Sequence, residues 1–121
     1  MNKVQLVGHV LTGTTGGHSA VTKLLNAVLV TGAGASSSSF GGRCQLQAIA
    51  NGTSGAFTAV IVVEGSNNDS NWEPIGTITL SGTATTADSD GFKMDAPWAF
   101  VRGNVTSISG TGATATLLMG V

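Results

Sequence analysis

Apolar and polar positions alternate along most of this chain, and Gly-, Ser- and Asn-rich breaks separate the alternating runs. Thr58-Ala-Val-Ile-Val-Val-Glu64 reads as a strand, Gly65-Ser-Asn-Asn-Asp-Ser-Asn71 as a turn, and Trp72-Glu-Pro-Ile-Gly-Thr-Ile-Thr-Leu80 as the returning strand. Trp98–Thr106 and Ala113–Met119, joined by Ser107-Ile-Ser-Gly-Thr-Gly112, read as another hairpin. Upstream, Asn26–Thr31 and Arg43–Ile49 supply strands, with Gly32–Ser39 as the loop between them. A short strand, Gly91–Met94, interrupts the polar region Ser81–Pro97. No stretch has the period of an amphipathic helix. About seven to eight short strands with Gly-rich turns predict an all-β fold, an antiparallel β-sandwich or jelly roll.

Alternation also assigns faces. Ala59, Ile61 and Val63 share one side of their strand, and Val60, Val62 and Glu64 the other, so both sides are apolar at the centre. Such a strand belongs inside a sheet, covered on both sides or completed by a partner subunit. Ala99, Val101, Gly103 and Val105 form a small apolar face suited to the core, opposite Trp98, Phe100, Arg102 and Asn104. Pro74 lacks an N–H, which places its end of the strand at a sheet edge. Cys44, the single cysteine, excludes an internal disulfide and fits a core position as a small apolar side chain.

The first 24 residues differ in style. Asn2–Leu11 could form one strand, but Thr12-Gly-Thr-Thr-Gly-Gly17 is a spacer and His18–Lys23 shows no clear period. The expected organisation is an N-terminal arm or edge strand over 1–24 and a sandwich domain over 25–121. Lys3 ahead of an apolar stretch faintly suggests a signal peptide, yet Gln5, Gly8 and His9 break that stretch, so the chain is read as not secreted. No run approaches the ~18 apolar residues of a membrane span, and no membrane partner is expected.

Composition narrows the function. Only 9% of the 121 residues are charged, net charge is −1, and mean hydropathy is +0.29, values that suit a folded chain rather than a disordered one. Little net charge leaves weak electrostatic protection against association, which favours an assembly component. Lys3, Lys23, Arg43, Lys93 and Arg102 are too scattered to track phosphates, so no nucleic-acid partner is expected.

Candidate chemistry is thin. His9 and His18 lack the further ligands that a zinc site needs. Glu64 and Glu73 flank one hairpin at a spacing open to glycosidase chemistry, but they read as solvated hairpin ends. Asp88-Ser-Asp-Gly-Phe-Lys-Met-Asp95 imitates a calcium loop without its full oxygen set and reads as a turn. Gly13–Gly17 and Gly32–Ser36 do not open helices, as a phosphate cradle would. Trp72 and Trp98 read as plugs for the ends of a small sandwich, with a sugar-stacking platform as the alternative. No catalytic residue, metal or cofactor is expected.

Two segments carry a resemblance. Val63-Glu-Gly-Ser-Asn-Asn-Asp-Ser-Asn-Trp72, continued by Ile75-Gly-Thr-Ile-Thr-Leu80, and the stretch from Ala96 to Val121 resemble strand–turn–strand units of small structural proteins of tailed bacteriophages. The resemblance spans roughly residues 57 to 121. It implies a jelly-roll capsid decoration (cement) protein with no catalytic motif. Such a protein would bind the major capsid protein on the outside of an expanded head as a homo-oligomer, a dimer or trimer, after synthesis in the host cytoplasm. Val4, Leu6, Val10, Leu11, Ser36, Phe40, Phe92 and Met94 are the candidate partner contacts, from the arm and two loops. The Ser66–Trp72 segment is also similar to the turn before a Trp in discoidin-like galactose-binding jelly rolls. That likeness implies, as the alternative, a carbohydrate-binding module on a tail or fibre.

Overall fold

A computed structural model of the chain describes residues 21–38, 44–94 and 98–120. Its strands are β1 (Val21–Val28), β2 (Gly32–Ala33), β3 (Ser37–Ser38), β4 (Cys44–Asn51), β5 (Ser54–Ser66), β6 (Glu73–Thr83), β7 (Asp88–Met94), β8 (Phe100–Thr111) and β9 (Thr114–Gly120). The described residues contain no helix. One sheet has the order β1-β9-β4-β7 and the other β2-β8-β5-β6, with β3 also on β8. β2 and β3 pair with successive parts of β8, at Val105–Asn104 and at Val101–Phe100, and so act as one interrupted strand. The result is an antiparallel β-sandwich with the strand order of a jelly roll.

Four antiparallel pairings nest inside one another: β5–β6, β4–β7, β2/β3–β8 and β1–β9. Gly65 meets Glu73, Cys44 meets Met94, Ser38 meets Phe100 and Val21 meets Gly120. Each pair straddles Asp69 almost symmetrically. The chain is thus one long hairpin, rolled so that successive lengths of it fall in alternate sheets. Its tip is the Asn-rich turn after Ser66, where Asp69 takes the left-handed conformation (φ 58°) that Asp tolerates.

Strand alternation builds the core. Ala59, Ile61 and Val63 of β5 and Val101, Gly103 and Val105 of β8 are buried from one sheet. Leu46, Ala48 and Ala50 of β4 and Ala115, Leu117 and Met119 of β9 are buried from the other. Full burial of an aliphatic side chain such as Ile61 or Leu117 contributes about 1.5–3 kcal/mol. Small residues let the sheets approach. A Cβ on Gly103 would run into Leu117 and Leu25. Val60 and Val62, on the other side of β5, are only half-buried.

The structure departs from the sequence reading in four places. β1 begins at Val21, so the expected boundary at 24/25 falls inside a strand, and Leu24 and Leu25 are both core residues. A register shift between Lys23 and Leu25 turns these neighbours to the same side, which hides the strand from a period-2 reading. The Gly32–Ser39 loop contains β2 and β3, recruited because β8 otherwise has a free edge. The strand expected at Gly91–Met94 is present but begins earlier, at Asp88, so that the Asp88-Ser-Asp90 part read as a turn lies in the ladder with β4, and the reversal sits where Thr86 N–H donates to the Thr83 carbonyl. Finally, β8 and β9 follow one another without pairing. The turn with positive φ at Gly110 and Gly112 carries the chain from one sheet to the other.

Two outcomes follow for folding. Gly103→Val, which forces branched bulk against Leu117 and Leu25, should lower unfolding free energy by about 1–3 kcal/mol. Urea denaturation should show this as a lower midpoint with an unchanged slope. Because pairings such as Val21 with Gly120 close almost the whole chain, stopped-flow refolding should be slow, on the order of milliseconds to seconds.

Candidate interaction surface

The β5–β8 register brings Glu64 opposite Arg102 and Val62 opposite Asn104 on the outer side of the sheet. Arg102 Nε donates to Glu64 Oε1 at 2.7 Å, and Asn104 Nδ2 donates to Glu64 Oε2 at 3.3 Å. The guanidinium carbon sits 4.2 Å from the ring centroid of Trp72, where the chain enters β6. Both oxygens of Glu64 are therefore occupied and the pair is internally neutral. The Arg102 and Glu64 side chains are 25% and 15% exposed, so the ion pair contributes at most about 1 kcal/mol. The cation–π contact adds about 0.5–1 kcal/mol. Together they tie the entry of the returning strand to β8 across the end of β5.

The turn beside this cluster is fastened by its own side chains. Asn68 Oδ1 accepts from Ser66 Oγ, Ser70 N–H and Asn71 N–H, while Asn68 Nδ2 donates to Asn71 Oδ1. Ser66, fully buried, accepts from the N–H groups of Asn68 and Asp69. Asn67 Oδ1 accepts from Ala99 N–H, tying the turn to the start of β8. The Asn and Ser residues of this segment thus specify a rigid turn.

Away from the turn, the outer side of the same sheet exposes Thr58, Thr77, Thr79, Ser81, Thr106, Ser107 and Ser109, interrupted by half-buried Val60 and Val62. The Thr58 and Ser109 hydroxyls share a hydrogen bond of 2.6 Å across the strands. This broad face is hydroxyl-rich and carries no net charge. A second exposed feature follows β1, where Leu29 and Val30 are 63% and 71% exposed.

Of the expected partner contacts, Val4, Leu6, Val10, Leu11 and Phe40 lie outside the described residues, as do His9 and His18. Ser36 is half-buried between β2 and β3. Phe92 packs on the core, its ring over Gly76, so most of it is committed to the interior. Met94 ends β7 opposite Cys44, and the side chains of both fall outside what is described. β7 and β2/β3 lie on opposite flanks of the sandwich, so Ser36 and Phe92 are not brought together.

The chemistry-bearing residues separate likewise. Glu64 is not a solvated hairpin end, because pairing with Arg102 holds it, whereas Glu73 is exposed. Asp88 Oδ2 accepts from Ser81 N–H and Asp90 Oδ1 from Gly91 N–H, so the segment resembling a calcium loop spends these oxygens on backbone. Among the described residues no group of three or more His, Cys, Asp or Glu could hold a metal ion. Trp98 packs on the core over Gly65, as a plug would, but Trp72 stays outside the core beneath Arg102. Sequence spacing had no means of joining Trp72, Glu64 and Arg102, which come from three different strands or turns.

A double-mutant cycle on Arg102→Ala and Trp72→Ala should give a coupling of about 0.5–1 kcal/mol by urea denaturation. Arg102→Lys should recover only part of it, since an ammonium loses the Nε geometry and the planar stack. A coupling indistinguishable from zero would remove the cluster's structural role.

A scan against protein-family models finds no match to this chain, and neither the curated proteins nor the solved structures contain a match.

Proposed function

We propose that this chain is a non-enzymatic virion structural protein, a decoration or cement protein that binds the outer surface of a tailed-phage capsid and stabilises the assembled head. The observation that carries this reading is the outer side of the β5–β6–β8 sheet. It is broad, rich in hydroxyls, internally neutral and stiffened beside the Asn-rich turn. Such a face suits hydrogen-bonded and van der Waals contact with another protein better than capture of a charged small molecule. The low overall charge and the exposed Leu29–Val30 pair favour association in the same way. The partner in this reading is the major capsid protein. Self-association as a dimer or trimer would multiply weak contacts, since the second contact becomes effectively intramolecular.

The carbohydrate-binding alternative draws little from the geometry. Arg102 lies over one side of the Trp72 ring, and Trp98 is packed on the core, so neither indole stands free as a stacking platform.

The test is co-sedimentation of the purified protein with expanded heads assembled from the cognate major capsid protein. Binding should persist as salt is raised, because few exposed charges are available for screening, and occupied heads should resist heat better than bare ones. Release of the protein by salt would refute the neutral-surface mechanism, and absence of binding to any head would refute the proposed function.

A further inference from the structure

In a rigid β-sandwich, the asparagines that age chemically are those whose following amide nitrogen can reach the side-chain carbonyl carbon. Asn51-Gly52 is the only Asn-Gly pair in the chain, and Asp90-Gly91 the only Asp-Gly pair. Glycine in second place removes the Cβ that otherwise obstructs attack by its own nitrogen. The structure adds a feature that the dipeptides alone do not supply. Gly52 N–H donates to Asn51 Oδ1 at 2.9 Å, and Gly91 N–H donates to Asp90 Oδ1 at 2.8 Å. In both junctions the nucleophilic nitrogen is held against the group it would attack, and the side chain is exposed to water.

The other described asparagines lack this arrangement. Asn68 is locked by bonds to Ser66, Ser70 and Asn71, and the amide that follows it belongs to Asp69, which donates to Ser66 Oγ. Asn67 is tied to Ala99, and the next amide, of Asn68, also donates to Ser66 Oγ. Asn71 accepts from Asn68, and Asn104 donates to Glu64. After Asn26, the Ala27 N–H is taken by Thr116 Oγ1.

We infer that Asn51–Gly52 and Asp90–Gly91 are two succinimide-forming junctions at which the folded protein modifies itself. At the first, Gly52 nitrogen bonds to Asn51 Cγ, the Cγ–Nδ2 bond breaks, and ammonia leaves with the proton lost from the glycine nitrogen. Water then opens the ring to aspartate or isoaspartate. At the second, the same attack on the carbon of a protonated Asp90 carboxyl breaks its C–OH bond, the hydroxyl leaves as water with the proton lost from the glycine nitrogen, and rehydration returns aspartate or isoaspartate. Conversion at Asn51 adds one negative charge beside the β4–β5 turn. Isoaspartate at Asp90 inserts a methylene into the main chain of β7, out of step with β4 from Gln47 to Cys44.

The experiment is incubation of the intact folded protein, at mildly alkaline pH for Asn51 and at mildly acidic pH, which favours water as the leaving group, for Asp90, with the same chain in urea alongside each, followed by peptide mapping and enzymatic methylation of isoaspartate. In the folded protein, amide-to-acid conversion at Asn51 should run at least about tenfold faster than at Asn68 or Asn104. Its rate should stay close to that in urea, and isoaspartate should accumulate at Asp90. Asn51→Gln should abolish the first signal and leave the second. If folding suppresses conversion at Asn51 as strongly as at Asn68, or if Asp90 yields no isoaspartate while the urea sample does, the inference is overturned.

Discussion

Everything in this molecule rests on apolar contact between two sheets that the chain reaches only by rolling up a single long hairpin. Ile61 and Val63 from one sheet and Leu46, Leu117 and Met119 from the other are closed to solvent, and Ala48, Ala59, Ala115 and Gly103 keep the layers close between them. Facing sheets sit about 10 Å apart, a spacing that one layer of interdigitated side chains fills. Nested pairing about Asp69 then makes the fold non-local at its margins and local at its tip. Entropy lost in closing β1 onto β9 is recovered only when the core between the sheets is complete.

The outer surface shows what remains once that core is satisfied. β5 lies inside its sheet with β8 and β6 on either side, so its outward residues are flanked by two ladders and present a continuous face. Most of that face is Thr, Ser and Val. Its single strong polar feature, Glu64 with Arg102, Asn104 and Trp72, is closed on itself and positions the return of the hairpin. A surface of this kind offers shape and hydrogen bonds to a partner with little long-range steering.

Local chemistry made the β5–β6 hairpin legible, because Ser66–Asn71 carries its own side-chain bonds and the flanking strands alternate cleanly. The inward set Val101, Gly103 and Val105 was legible for the same reason. The segments that misled are those in which distant partners override local pattern. β2 and β3 are two-residue strands, extended only because β8 has an edge to fill. Asp88–Asp90 has the composition of a turn but is held straight by its ladder to β4. Leu24 and Leu25 share a side through an irregular register with β9 that no periodicity could announce.

By itself, the sequence determined the all-β class, the strand faces, the hairpin at the tip and the scarcity of charge, since all of these follow from neighbours one or two residues apart. Only the tertiary structure decided which successive strands pair and which cross between sheets, and that Trp72 serves Arg102 while Trp98 serves the core. The same division holds at the glycine junctions: the dipeptides are visible in sequence, but folding decided which side chains are free to meet their own backbone. Pairing between strands is chosen by the burial of both sheets together, a free energy shared by residues as far apart as Val21 and Gly120.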